Sequence, residues 1–93
     1  MNAQSDEERL RLSSQIRHRA VGDEGVLVHL ANGRVLVVNE VGLHVVGQLG
    51  VPRTRRELAA SIADAFEVSP DQAEADLDTY LAELDAEQVL EHL

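Results

Sequence analysis

The sequence predicts an α+β domain in which a three-stranded antiparallel sheet precedes three helices, a winged-helix-like order. Three observations carry this. Short β-branched runs separated by Gly-containing turns fill residues 15–38, the hydrophobic period lengthens from 2 to 3.6 after Asn39, and helix-start signals follow at Asn39, Thr54 and Ser69. The domain is expected over residues 13–93. The first twelve residues, with Ser5-Asp6-Glu7-Glu8 and Arg9-Leu10-Arg11-Leu12, sustain no period and are expected to form a flexible N-terminal arm outside the core.

The strands are read as Ile16 to Val21, Val26 to Leu30 and Val35 to Val38, divided by Gly-Asp-Glu-Gly and Ala-Asn-Gly. Asn32-Gly33 is the strongest turn signal, because both residues tolerate positive φ. Two registers fit it. A two-residue turn pairs Ala31 with Arg34, whereas a three-residue turn with Gly33 left-handed pairs Leu30 with Arg34 and puts Val26, Val28, Leu30, Leu36 and Val38 on one face. In either register the third strand is apolar on both faces, unlike a solvated edge strand.

Asn39 is placed to cap a first helix carrying Val41, Val45, Val46 and Leu49, which ends near Gly50 and Pro52. Thr54-Arg55-Arg56-Glu57 is a capping box leading into Leu58, Ile62, Ala65 and Phe66. Ser69-Pro70-Asp71-Gln72 is a second, with Pro at the first helical position. The helix it opens carries Ala73, Leu77, Leu81 and Leu84 as its apolar stripe, and beside that stripe run Asp76, Tyr80, Glu83 and Glu87. Tyr80 reads either as a boundary residue snorkelling its hydroxyl or as the border of a groove.

With 93 residues and 44% apolar content, the chain supports one packed core, and Phe66 and Tyr80 as the only aromatics make that core aliphatic. Apolar runs reach only about four residues, far below the roughly 20 of a membrane span, so a soluble, cytoplasmic protein is expected. The absence of cysteine excludes disulfides, thiol catalysis and thiolate zinc sites. His18, His29, His44 and His92 show no metal-ligand spacing, and His18 and His29 read as surface residues of the first hairpin. No nucleophile elbow, phosphate-binding glycine loop or lysine is present. An enzyme, a metal and a cofactor are therefore not expected.

The net charge of −9 is unevenly divided: all eight Arg and six acids lie in residues 1–56, and eleven acids with no base lie in residues 57–93. Asp85, Glu87 and Glu91 sit near the C-terminal end of the last helix, where negative charge is unfavourable. Either arginines of the first half fold back on them or a cationic ligand does. A winged-helix DNA-binding regulator is the alternative function for this order of elements, but a helix carrying Asp76, Asp78 and Glu83 without a base is repelled by phosphate. The third strand offers an open edge that an extended peptide, the N-terminal arm or a second copy in a homodimer could pair with.

Val26-Leu27-Val28-His29-Leu30, Asn32 to Val38, Asn39-Glu40-Val41-Gly42, Arg53-Thr54 through Glu57-Leu58, Ala75-Asp76-Leu77 and Tyr80 to Leu84 together resemble the PqqD family, the recognition elements of ribosomally synthesised, post-translationally modified peptides. The resemblance runs from about Leu12 to Leu90. Val35, Leu36 and Val46 stand where members often carry aromatics, and Gln88 stands where a Gly is common. The resemblance implies a non-catalytic peptide chaperone. It would bind the leader segment of a precursor peptide and present it to a modifying enzyme, such as a radical S-adenosylmethionine enzyme or a leader peptidase and cyclase, in PQQ or lasso-peptide biosynthesis. It places the leader against the backbone of Val35, Leu36, Val37 and Val38, with Asp76, Leu77, Tyr80, Glu83 and Leu84 as the wall. The acids of that wall would favour a leader bearing Lys or Arg.

Overall fold

The computed structural model describes residues 7–93. Strands β1 (Arg9–Leu12), β2 (Ile16–Val21), β3 (Glu24–His29) and β4 (Val35–Val38) precede helix α1 (Glu40–Gln48), followed by β5 (Arg53–Thr54), α2 (Arg55–Phe66), α3 (Pro70–Ala86) and β6 (Leu90–His92). The fold is α+β with three helices and two antiparallel sheets of order β2-β3-β4 and β5-β1-β6.

The second sheet overturns part of the expected arm. Arg9–Leu12 pairs with β5 on one side and β6 on the other, and Leu10 is 1% exposed in the core. Two Arg-Leu repeats are too short to register as a strand by periodicity, and their partners lie more than 40 residues away. Residues 1–6 of the expected arm lie outside the described residues. Arg11 and Glu91 sit opposite each other across β1–β6 and join as an ion pair at 2.6 Å, and Leu12 packs opposite Leu90.

His92 clasps this sheet to α3. Its Nε2 lies 2.8 Å from Asp85 Oδ1 and its Nδ1 lies 3.0 Å from Glu8 Oε2. Hydrogen bonds to Asp85 and then Glu8 raise the His92 pKa above its ordinary 6.5. A raised folded-state pKa gives stabilisation that is complete below the unfolded value and is lost as pH rises through the folded one. The melting temperature should therefore decline as pH increases from 6.5 through that raised value. Replacing His92→Gln should flatten the decline, which thermal melts across that window would read.

The three expected helix starts are present. Asn39 Oδ1 accepts the Gly42 N–H at 3.0 Å, Thr54 and Glu57 form the reciprocal capping box, and Ser69 Oγ accepts the Gln72 N–H at 3.1 Å. At Ser69 the box is half made, because the Gln72 amide turns to Asp76 at 2.8 Å instead of returning to the cap. Leu27, Val46, Leu49, Ile62 and Val89 reach 0% exposure in an aliphatic core. On α2 the buried small residue is Ala59, with Ala65 exposed, so the stripe runs Leu58, Ala59 and Ile62.

The register of β3 with β4 differs from both expectations. Val28 pairs with Val35 and Leu27 with Leu36, and the His29 N–H donates to Arg34 O at 2.9 Å across a four-residue turn. Gly33, at φ 75°, closes that turn by donating its N–H to His29 O at 2.7 Å. Relative to the Leu30–Arg34 pairing this is a slip of one residue on β3, so Gly25, Leu27 and His29 face inward instead of Val26, Val28 and Leu30. Packing dictates the choice: a Cβ at Gly25 would lie 2.9 Å from both Leu43 and Val38, so only glycine fits inside at that crossing.

His29 is consequently a buried residue, 5% exposed, and not a surface one. Its Nδ1 accepts the Ala31 N–H at 3.3 Å, which leaves the proton on Nε2 to donate to Gln88 O at 3.1 Å. Gln88 holds φ 60° in a Schellman turn, with the Val89 N–H donating to Leu84 O at 2.9 Å and its own N–H to Asp85 O at 3.0 Å. A left-handed non-glycine residue costs about 1–2 kcal/mol, part of which glycine returns as unfolded-state entropy. Gln88→Gly should therefore stabilise the protein by about 0.5–1 kcal/mol in urea denaturation.

Candidate functional site

β4 is an edge strand: within the described residues it pairs with β3 on one side only. The direction of its free groups follows from the ladder. Because 29–34 is a bonded pair, antiparallel alternation makes 27–36 and 25–38 bonded and 28–35 and 26–37 non-bonded. The amide and carbonyl groups of Leu36 and Val38 are thus used by β3. Those of Val35 and Val37 point outward along the open edge.

Facing this edge, α3 and the β4–α1 corner enclose a groove of about 340 Å³ lined by Val37, Val38, Asn39, Asp76, Thr79, Tyr80 and Glu83. The Tyr80 hydroxyl donates to Asn39 Oδ1 at 2.8 Å, the same oxygen that caps α1. One side-chain oxygen therefore starts a helix and ties α3 to the end of β4. Tyr80 satisfies both sequence readings at once, with its hydroxyl bonded and its ring bordering the groove.

Charge is distributed unequally around α3. Glu87 is held by Arg34 through contacts of 2.6 and 3.0 Å, Asp78 is paired with Arg55, Asp85 meets His92, and Glu91 beyond the helix meets Arg11. The arginines do fold back on the acids near the C-terminal end of α3. The Arg11 contact lowers the Glu91 carboxyl below its ordinary pKa of 4.5. On the groove side, Asp76 accepts only the Gln72 amide, and among the described residues neither Asp76 nor Glu83 has a cationic partner. The groove is therefore negative, whereas Asp78, Asp85 and Glu87 on the other sides of the helix are paired. Among the described residues no group of three or more His, Asp or Glu side chains could hold a metal.

An open β-edge beside a helix wall is a geometry for an extended chain. The sequence model of the PqqD family, described as coenzyme PQQ synthesis protein D, matches residues 24–90. The chain belongs to the PqqD family. A search of curated proteins returns no match. Among solved structures, TbiB1 in complex with the TbiA(beta) leader peptide is similar, with TM-score 0.76 and 26% identity over 87% of this chain and 94% of that one. The PqqD truncation of Methylobacterium extorquens PqqCD, a stand-alone recognition element for ribosomally synthesised and modified peptides, shares the fold with TM-score 0.72 and 24% identity, covering 89% of this chain and 88% of that one.

Within this PqqD fold, the residues assigned to a peptide site divide. Val37, Val38, Asp76, Tyr80 and Glu83 come together around the groove, and Val35 extends its edge. Leu36 lies on the same edge strand with its side chain turned inward. Leu77 and Leu84 do not form the wall. Each is 2% exposed, because they share the stripe of Ala73 and Leu81 that packs into the core, whereas Asp76, Tyr80 and Glu83 lie on the neighbouring row. Asn39 and Thr79 are groove residues that sequence reasoning missed. Thr79 follows Asp76 at i+3 and was findable by spacing, but the role of Asn39 as the Tyr80 anchor depends on a contact across 41 residues.

Proposed function

We propose that this PqqD-family protein is a non-catalytic peptide chaperone. It binds the leader segment of a ribosomally synthesised precursor peptide by antiparallel strand addition to the outer edge of β4. The observation that carries this reading is the pair of unused, outward-directed backbone positions, Val35 and Val37, set beside a groove walled by α3. Backbone hydrogen bonds supply affinity without regard to sequence, and alternate leader side chains entering the groove supply selection. Asp76 and Glu83 favour a leader with Lys or Arg at those positions. The leader peptide named in the TbiB1 structure supports the same reading.

Presentation to a modifying enzyme completes the function. A radical S-adenosylmethionine enzyme, or a leader peptidase and cyclase, would act on the remainder of the precursor in PQQ or lasso-peptide biosynthesis.

Titrating ¹⁵N-labelled protein with a leader peptide from the same gene cluster tests the proposal. Amide shifts should concentrate on residues 35–38 and on Asp76, Thr79, Tyr80 and Glu83; no shift there would refute it. For a leader with basic residues, the Asp76→Asn, Glu83→Gln double variant should bind about five- to tenfold more weakly at low salt, and the difference should shrink at high salt. Equal affinity at both salt concentrations would remove the electrostatic part while leaving strand addition intact.

A further inference from the structure

The face of the β2-β3-β4 sheet turned away from the helices is apolar, and the leader groove, which it meets along Val35 and Val37, does not account for the rest of it. Alternation places Val26 and Val28 of β3, Val35 and Val37 of β4, and Val21 and Leu30 near the strand ends on this face. Val21, Leu30, Val35 and Val37 are 55%, 53%, 62% and 63% exposed. Among the described residues the other exposed large apolar side chains are only Val51 and Leu93, so exposure is concentrated here. A sheet with one solvated face ordinarily carries polar residues on it, and a contiguous exposed apolar patch marks an interaction surface.

The border of the patch carries positive charge. Arg17 and Arg19 of β2 lie directly opposite Val28 and Val26. The Arg17 guanidinium donates to the carbonyls of Ser14 and Ile16 at 3.0 and 3.1 Å. Among the described residues neither Arg17 nor Arg19 meets a carboxylate, whereas Arg11, Arg34, Arg55 and Arg56 each do. Glu24, opposite Val21, stands at the far end of the hairpin.

We propose that this outer face docks a protein partner presenting an apolar strip edged by carboxylates, and that the partner is the enzyme acting on the leader-bearing precursor. The choice of enzyme rests on the leader reading above. A leader strand added to β4 projects alternate side chains onto this same face, beside Val35 and Val37. The loaded protein therefore offers a wider surface than the empty one, and a partner seated there touches chaperone and leader together. Other occupants are less well matched. Two copies stacked face to face bring Arg17 and Arg19 of both onto one apolar contact. A polyanion meets only these two cations on a chain of net charge −9.

Calorimetry of the purified modifying enzyme from the same gene cluster, against wild type, the Val26→Thr, Val28→Thr double variant and Arg19→Glu, tests the docking face. Threonine retains β-propensity, and the backbone of β3 is flanked by strands on both sides, so leader affinity should be unchanged. Enzyme affinity should fall about tenfold in each variant, and in wild type it should rise when leader peptide is present. Undiminished enzyme affinity in both variants, with circular dichroism showing an intact fold, would overturn the proposal. So would concentration-dependent sedimentation of the chain alone that the double variant abolishes, which points to a second copy, or binding to phosphatidylserine vesicles that Arg19→Glu abolishes. If the leader fails to bind wild type while the enzyme still binds through these residues, the docking face stands and the leader reading falls.

Discussion

Leader affinity should fall about ten- to hundredfold when Val37 is replaced by proline, in a protein that still folds. The Val37 N–H points outward from the open edge and bonds nothing in β3, so proline removes a donor that the leader would use and none that the sheet uses. Losing one backbone hydrogen bond costs about 0.5–1.5 kcal/mol, and the ring adds steric conflict with the incoming strand. The neighbouring substitution supplies the contrast. Leu36→Pro removes an N–H that β3 uses and an inward apolar side chain, and should unfold the protein. Circular dichroism paired with fluorescence anisotropy of a labelled leader separates the two outcomes. Undiminished leader affinity in folded Val37→Pro would refute strand addition at this edge.

Gly42→Ala should destabilise the protein by about 1–2 kcal/mol even though alanine is the better helix former. A Cβ at Gly42 would lie 2.8 Å from Val38 Cβ and 3.5 Å from Asn39 Oδ1, at the corner where α1 leaves β4. Overpacking there costs about 1–3 kcal/mol and helix propensity returns up to about 1 kcal/mol. Gly47 in the same helix is the control. No atom lies within 4 Å of a Cβ added there, so Gly47→Ala should stabilise by about 0.5–1 kcal/mol. Urea midpoints of the two variants should move in opposite directions. Adding Val38→Ala to Gly42→Ala should recover part of the loss, a non-additivity that identifies the contact responsible. The corner also carries Asn39 and hence the Tyr80 anchor, so Gly42→Ala should weaken leader binding as well.

Helix starts were legible because each is a local device. Asn39, Thr54 and Ser69 satisfy amides within three residues of themselves, and no distant part of the chain can remove that need. The stripe of Ala73, Leu77, Leu81 and Leu84 was legible for the same reason, since its spacing declares a buried face. That declaration also excludes Leu77 and Leu84 from the peptide wall, because one helical row cannot both fill the core and line a groove. The second sheet was illegible. Its strands have four, two and three residues, and each is stabilised by partners that only the closed chain brings near.

By itself the sequence determined the succession of three strands and three helices, the helix starts, the aliphatic core and, through scattered motifs, the resemblance to the PqqD family. These rest on interactions spanning a few residues or on composition. The tertiary structure decided the register of β4, the burial of His29, and the meeting of Asn39 with Tyr80 beside the open edge. Strand pairing repeats every two residues, so several registers satisfy the same pattern. Only the approach of α1 to Gly25 and of Gln88 to His29 selects among them.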